Sequence, residues 1–137
     1  MYFMRKINLA CVIDDDPIFI YTIKKLMDQV NFSEEYIFFR NGDDAIKHFR
    51  TELSDNGKAP EIIFLDLNMP IMDGWQFLDE FTKIPSKKRI TIYIVTSSID
   101  PFDMNKAKSY GEVSNYIIKP IKPDQLKYIL KSYSQAS

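Results

Sequence analysis

An uninterrupted apolar run that ends at a carboxylate restricts the fold of this sequence more than any other feature. Residues 62–65 read Ile-Ile-Phe-Leu, and Asp66 follows at once, before a loop that contains Pro70 and Gly74. A strand that is apolar at every position is typical of a parallel sheet covered on both faces. Ligands of open parallel sheets bind just beyond the carboxyl ends of the strands. The run therefore predicts that Asp66 lies where such a fold places its chemistry.

A strand followed by a helix is predicted five times along the chain. The strands are predicted over residues 7–13, 36–39, 61–65, 90–95 and 115–118. The five helices are predicted to begin at Pro17, after residues 41–43, near Gly74, at Pro101 and at Pro123. The fourth of them is predicted to end at Gly111. Right-handed crossovers put helices on both faces, and five units cannot close an eight-stranded barrel. We therefore expect an α/β fold with a doubly wound, five-stranded parallel sheet.

Apolar residues three and four positions apart predict which side of each helix faces the core. These residues are Ile23, Leu26, Met27 and Val30 in the first helix, Ala45, Ile46, Phe49 and Leu53 in the second, Trp75, Phe77, Leu78 and Phe81 in the third, and Leu126, Ile129, Leu130 and Tyr133 in the last. The polar stretch 54–60 is predicted to be a loop, and residues 85–89 a basic connector.

The size and charge of the chain exclude several classes of protein. Its 137 residues suit one domain, with a core over about residues 7–132, and residues 132–137 are too few for an output domain. A net charge of −1 predicts no direct binding of nucleic acid or of an anionic membrane. The sequence has no signal peptide pattern and no apolar run of the roughly 20 residues that span a bilayer. With the single cysteine, Cys11, this favours a cytoplasmic protein.

Polar side chains occur at four of the predicted strand ends, which meet at one edge of a parallel sheet. They are Asp14, Asp15 and Asp16, then Asp66, then Thr96, and then Lys119. Carboxylates in close proximity repel one another unless a cation neutralises them, and oxygen ligands favour Mg²⁺ over zinc. A carboxylate beside Mg²⁺, a lysine and a hydroxyl could accept a phosphoryl group to give an aspartyl phosphate. Taken singly, each of these residues favours a structural role: the three aspartates before Pro17 as a helix cap, Thr96 as the end of a strand and Lys119 as a solvated charge.

Four segments together resemble the receiver domain of bacterial two-component response regulators, in particular the single-domain chemotaxis regulators. They are residues 12–17 (Val-Ile-Asp-Asp-Asp-Pro), 65–74 (Leu-Asp-Leu-Asn-Met-Pro-Ile-Met-Asp-Gly), 95–98 (Val-Thr-Ser-Ser) and 116–120 (Tyr-Ile-Ile-Lys-Pro). The resemblance covers about residues 7–132. It implies a flavodoxin-like fold with the strand order 2-1-3-4-5.

The resemblance also implies a role for each matching residue. Asp66 would accept phosphate from a sensor histidine kinase or a histidine phosphotransfer protein. Mg²⁺ would be held by Asp14, Asp15, Asp66 and the backbone carbonyl of Asn68. Thr96 and Lys119 would contact the phosphoryl group, Tyr116 would follow Thr96 as the domain switches, and Asp16 would remain a helix cap.

A phosphorylated receiver would remodel the surface formed by the fourth helix, the fifth strand and the fifth helix. That surface would bind an unidentified protein target, pass the signal along a phosphorelay, or form a phosphorylation-dependent homodimer. We expect no enzyme activity beyond the domain's own phosphorylation and dephosphorylation.

Two other functions compete with this interpretation. A Mg²⁺-dependent phosphohydrolase also uses an aspartyl nucleophile, but its usual second aspartate would stand where this chain has Asn68. A degenerate receiver would bind proteins constitutively, but it would usually have lost acids or the lysine that are present here.

Overall fold

A computed structural model of the protein describes residues 6–53, 57–86 and 88–135, in which strands and helices alternate. The strands are β1 (Leu9–Ile13), β2 (Glu35–Phe39), β3 (Ile62–Leu65), β4 (Thr91–Thr96) and β5 (Val113–Ile118). The helices are α1 (Pro17–Gln29), α2 (Gly42–Glu52), α3 (Gly74–Phe81), α4 (Pro101–Ala107) and α5 (Pro123–Gln135). Among these helices, none combines the length and the apolar character that a bilayer crossing requires.

The strands form one parallel sheet in the order β2-β1-β3-β4-β5. This confirms the doubly wound sheet expected from the sequence and the strand order that the resemblance implied. The register pairs Ile13 with Leu65 and Leu65 with Ile94, and two residues beyond Ile94 it pairs Thr96 with Ile118. The residues that follow β1 and β3 therefore emerge side by side at the centre of one sheet edge.

Helices cover both faces of the sheet, and each face has its own apolar cluster. Because successive side chains of a strand point to opposite faces, Cys11 and Ile13 enter one cluster while Ala10 and Val12 enter the other. The first cluster includes Phe49 of α2 and the second includes Leu126 of α5, for example. Every residue of β1 and β3 is buried, which explains why these strands are apolar throughout.

Several element boundaries differ from the prediction. Strand β1 begins at Leu9 rather than residue 7, and the carboxylate of Glu61 accepts hydrogen bonds from the backbone N–H groups of Asn8 and Leu9, at 2.8 and 3.1 Å. Strand β4 extends to include Thr96, which the sequence placed just beyond it. Helix α4 ends at Ala107, well before Gly111. Residues 54–56 of the predicted polar loop and Lys87 of the basic connector lie outside the described residues.

The predicted core faces of the helices are confirmed: all four residues predicted for α2 are buried, and every residue predicted for the other three helices is buried or packs, partly buried, against a core cluster. The buried line of α1 is Phe19, Ile23 and Met27, so it begins one turn earlier than predicted. Near the end of α5, Ser134 is buried while Tyr133 is only partly buried. The Ser134 hydroxyl donates a hydrogen bond to the carbonyl of Lys131 at 3.0 Å, which satisfies the buried polar group.

The loop between β3 and α3 turns sharply at Ile71. Its φ is 70°, and the N–H of Met72 donates to the carbonyl of Pro70 at 2.8 Å, which together define a γ-turn with a positive central φ. A β-branched residue is unfavourable in this region of backbone space. The side chain of Ile71 is also 80% exposed, so the loop holds an unusual backbone conformation without apolar burial at that position.

Candidate functional site

The three consecutive aspartates after β1 have different environments. Asp14 is buried, with 1% of its surface exposed, and its Oδ1 accepts a hydrogen bond from the backbone N–H of Asp16 at 2.9 Å. Asp16 caps α1, because its side chain accepts a hydrogen bond from the N–H of Ile18 at 2.9 Å. This confirms the predicted cap. Because Asp16 serves as the cap, the carboxylates of Asp14 and Asp15 remain for a site at the sheet edge.

Asp66 lies beside Asp14, at the end of the neighbouring strand. Its backbone N–H donates to the carbonyl of Ile13 at 3.0 Å, and its Oδ1 accepts a hydrogen bond from the N–H of Leu67 at 2.8 Å. The residue is 6% exposed. One carboxylate oxygen is thus fixed by the backbone while the other faces Lys119.

The carboxylates of Asp14, Asp15 and Asp66 converge, with one oxygen from each lying within 4.8 Å of the others. Lys119 closes the cluster from the end of β5. Its Nζ lies 2.8 Å from Asp14 Oδ2 and 3.5 Å from Asp66 Oδ2, and it also lies 4.3 Å from the centroid of the Phe19 ring. The sequence prediction that these strand ends converge is therefore confirmed for Asp14, Asp15, Asp66 and Lys119.

Burial and the neighbouring charges together shift the pKa values of Asp14 and Lys119. Burial raises the pKa of Asp14 from 3.8 to about 6, and the neighbouring charge of Asp66 acts in the same direction, although Lys119 and the Asp16 amide oppose it. For Lys119, burial alone would lower the pKa, but the carboxylates of Asp14 and Asp66 outweigh burial and raise it above 10.5. Three carboxyl groups thus lie together around one lysine in this cluster.

The donor set fits a hard divalent cation. Asp14 Oδ2 is buried and makes no hydrogen bond with a described residue, because its contact with Lys119 has the distance of an ion pair but not hydrogen-bond geometry. A buried oxygen of this kind can accept a further electrostatic partner. Three carboxylates without histidine or cysteine favour a cation that prefers oxygen ligands.

We expect Asp14→Asn to stabilise the metal-free protein at pH 7. The folded-state pKa of Asp14, about 6, exceeds the unfolded value near 3.8, so the folded state binds more protons between these values and wild-type stability falls as pH rises through this window. Removing the ionisable group should raise the free energy of unfolding at pH 7 by about 2 kcal/mol and flatten that part of the pH profile. Asparagine retains an oxygen that can accept from the Asp16 amide.

Urea denaturation from pH 4 to 7 in chelator would measure this effect. Asp100→Asn is the matched control, since Asp100 is an exposed cap of α4 and asparagine caps equally well. If the free energies of unfolding of wild type and Asp14→Asn varied with pH in the same way, so that the two curves stayed parallel from pH 4 to 7, the prediction would be wrong.

Thr96 lies at the end of β4, next to the acidic cluster in the sheet. It is fully buried, its carbonyl accepts from the Lys119 N–H at 2.8 Å, and its Oγ1 accepts a weak hydrogen bond from the Ser98 N–H at 3.4 Å. Tyr116 donates its hydroxyl to the carbonyl of Ser98 at 2.9 Å. Ser98 in turn donates to the Asp103 carboxylate at 2.7 Å, so one loop joins Thr96, Tyr116 and α4.

Helix α3 begins directly behind Asp66. Asp73 and Gln76 form a capping box, and the Gly74 N–H donates to the carbonyl of Leu67 at 2.9 Å. A Cβ atom at Gly74 would lie 2.5 Å from the carbonyl oxygen of Asp66 and 2.8 Å from the Cα of Leu67. The glycine therefore allows α3 to approach the backbone of the candidate site. Asn68, two residues after Asp66, is exposed in the same loop, and its predicted role as a ligand stays a prediction.

Two features near the site were not predicted from the sequence. The ring of Trp75 stacks on that of Tyr110 with centroids 5.8 Å apart, and Lys106 Nζ lies 4.8 Å from the Trp75 ring, which ties α3 to α4 and the loop after it. Arg40, at the end of β2, donates two hydrogen bonds to the backbone carbonyl of Asp15. The one signal in the sequence that could have indicated this role of Arg40 is its position directly after a strand, because each of the other four strands ends with polar side chains at the same edge of the sheet.

The sheet order, the helices on both faces and the acidic cluster at the carboxyl edge define a flavodoxin-like domain of the chemotaxis-regulator type. The profile of the response regulator receiver domain matches residues 10–131. The chain therefore belongs to the response regulator receiver domain family of two-component systems, and it is a signalling domain rather than a metabolic enzyme.

Similar proteins agree with this assignment. A two-component response regulator from Cytophaga hutchinsonii is 28% identical with a TM-score of 0.81, over 93% of this chain and 99% of that one. The receiver domain of a Pseudomonas aeruginosa sensor histidine kinase shares the fold at 18% identity, with a TM-score of 0.75 over 94% of this chain and 98% of that one, and it has a magnesium ion coordinated in its active site cleft. Hybrid signal transduction histidine kinase L of Dictyostelium discoideum is 31% identical over 96% of this chain, which spans only 8% of that protein.

Proposed function

We propose that Asp66 is the phosphoacceptor of a stand-alone response regulator, which receives its phosphoryl group from a sensor histidine kinase or a histidine phosphotransfer protein. The observation that carries the proposal is the placement of the Asp66 carboxylate, which lies at the end of a central strand with one oxygen held by the Leu67 amide and the other 3.5 Å from Lys119. A carboxylate oxygen of Asp66 attacks phosphorus, the bond from phosphorus to the donor nitrogen breaks, and the imidazole leaves.

The residues around Asp66 supply the remaining requirements of phosphoryl transfer. Mg²⁺ held by Asp14, Asp15, Asp66 and the carbonyl of Asn68 would neutralise charge on the transferring group. Lys119 provides a fixed positive charge at the same place, and Thr96 provides a hydroxyl donor at the end of the adjacent strand. In this role the cluster binds, orients and shields the phosphoryl group, and the domain's own dephosphorylation proceeds at the same carboxylate.

Phosphorylation is proposed to switch the surface of α4, β5 and α5. It adds about −1.5 to −2 charges at Asp66, which draws Thr96 and Lys119 toward the phosphoryl group. Because Thr96 and Tyr116 share the Ser98 loop, their movement repositions α4. This surface exposes Phe102, Ile118 and Tyr128 by 69, 39 and 71%, which suits a protein partner, a phosphorelay protein or a second copy of the chain.

The proposal is tested by incubating the chain with acetyl phosphate and Mg²⁺. Intact mass spectrometry should show the addition of one phosphoryl group, and chelation of Mg²⁺ should prevent it. Backbone amide spectra with beryllofluoride and Mg²⁺ should then show shifts concentrated on α4, β5 and α5. A chain that gains no phosphoryl group refutes the acceptor role, while a phosphorylated chain with unchanged shifts on this surface refutes the switch.

A further inference from the structure

Arg40 approaches the candidate site from the end of β2 and has no part in the function derived above. Its Nε and Nη2 lie 3.3 and 3.1 Å from the backbone carbonyl oxygen of Asp15, to which both donate. Phe39, the last residue of β2, precedes Arg40, and its carbonyl accepts a hydrogen bond from the N–H of Asp14 at 3.0 Å. Two consecutive residues at the end of β2, Phe39 and Arg40, therefore hold the backbone of Asp14 and Asp15 respectively.

The contact depends on the shape of the guanidinium group. Two N–H groups of one planar fork converge on a single oxygen, and a lysine ammonium cannot reproduce this arrangement. In the part of the chain that the structure describes, Arg40 makes no ion pair with a carboxylate, although three aspartates stand nearby in the loop after β1. Hydrogen bonding to the Asp15 carbonyl, rather than an ion pair, thus fixes the side chain.

We propose that Arg40 is a positioning residue for the divalent cation, which holds the Asp15 backbone so that the carboxylates of Asp14 and Asp15 meet that of Asp66. The inference rests on the proposed function, since it concerns the same metal site. Asp16 anchors the far end of the loop by capping α1, and the Asp14 side chain accepts from the Asp16 amide. The Arg40 contact fixes the residue between these two anchors.

Arg40 would have two opposing effects on a bound cation. They can be distinguished because they change the Mg²⁺ affinity in opposite directions when Arg40 is replaced. As a positive charge near the site, it repels Mg²⁺, so its removal would tighten binding if charge alone mattered. As a positioning residue, it organises the ligands, and loss of such outer contacts typically weakens metal binding by about 10- to 100-fold. Weaker binding after removal of a positive charge is therefore diagnostic of positioning.

The test compares Arg40→Lys and Arg40→Met with wild type by calorimetric titration with Mg²⁺. Arg40→Lys preserves the charge but not the fork, and we expect both variants to bind Mg²⁺ about tenfold more weakly. Lys58→Met is the control, because it removes a positive charge from an exposed ion pair with Glu35 at the opposite edge of the sheet, and its effect should stay below about twofold. Unchanged or tighter binding in Arg40→Lys would overturn the inference.

Two further measurements separate a positioning role from a purely structural one. In metal-free protein, hydrogen exchange at the Asp15 and Asp16 amides should accelerate in Arg40→Lys while the urea midpoint stays close to that of wild type. Phosphorylation by acetyl phosphate should require more Mg²⁺ but reach the wild-type rate at saturation. A lower urea midpoint with unchanged Mg²⁺ affinity would contradict positioning.

A wild-type chain that binds no Mg²⁺ would refute the proposed function itself, whereas equal affinities in wild type and Arg40→Lys refute this inference alone.

Discussion

Asp66→Asn is expected to reduce phosphoryl incorporation below detection. The amide occupies the same volume and can still accept the Leu67 N–H, but it is not a nucleophile at neutral pH. Because the substitution also removes one of three converging carboxylates, the metal-free variant should be at least as stable as wild type. The loss of phosphorylation would therefore not result from unfolding, and urea denaturation of the same samples would show this.

The measurement is intact mass after treatment with acetyl phosphate and Mg²⁺, followed by transfer assays with purified histidine kinases. Asp16→Asn is the matched control, since it replaces a neighbouring exposed aspartate and preserves the cap of α1. It should be phosphorylated at close to the wild-type rate. If Asp66→Asn still carried a phosphoryl group that is labile to hydroxylamine, another carboxylate would be the acceptor.

Gly74→Ala should destabilise the fold by about 3 kcal/mol or more, although it adds only a methyl group. The new Cβ would lie 2.5 Å from the Asp66 carbonyl oxygen and 2.8 Å from the Leu67 Cα, and both are backbone atoms that cannot rotate away. Either α3 or the end of β3 must then shift, which is a form of overpacking. A fraction that remains folded should also lose phosphorylation rate, because the displaced backbone is that of Asp66.

Gly111→Ala provides the control for this substitution. A Cβ at Gly111 meets no atom within 4 Å, and no glycine of the described residues has a positive φ, so the added methyl group should change the free energy of unfolding by less than about 1 kcal/mol. Urea denaturation of both variants measures the difference. Equal stabilities would show that α3 does not pack against β3 as closely as described.

The central part of the site could be predicted from the sequence because it depends on topology. Once the chain was interpreted as alternating strands and helices, the strand ends had to meet, and the structure brings together Asp14, Asp66 and Lys119 accordingly. The cap at Asp16 was predictable for a similar reason, since an aspartate before Pro17 is a local signal. Neither prediction required knowledge of a side-chain conformation.

The features that escaped prediction depend on contacts between distant elements. Arg40 follows a short edge strand, and the sequence does not show that its guanidinium folds back onto the Asp15 carbonyl. The hydroxyl of Tyr110 donates to Asp79 of α3 at 2.6 Å, and burial together with this carboxylate raises the pKa of Tyr110 to about 12. Phe19 is a different case, because it lies four residues before Ile23 on the predicted core face of α1, and extending the same periodicity by one turn would have found it.

The position of Lys119 directly after an edge strand has a consequence for the folding of the domain. Asp14 and Asp66 follow the central strands β1 and β3, whereas the cation that faces them is contributed by β5, which lies at the edge of the sheet. Until β5 pairs with β4, the two acids lack their lysine, and their mutual repulsion opposes closure of that side of the sheet. Pairing of the edge strand and completion of the charged cluster are therefore the same event.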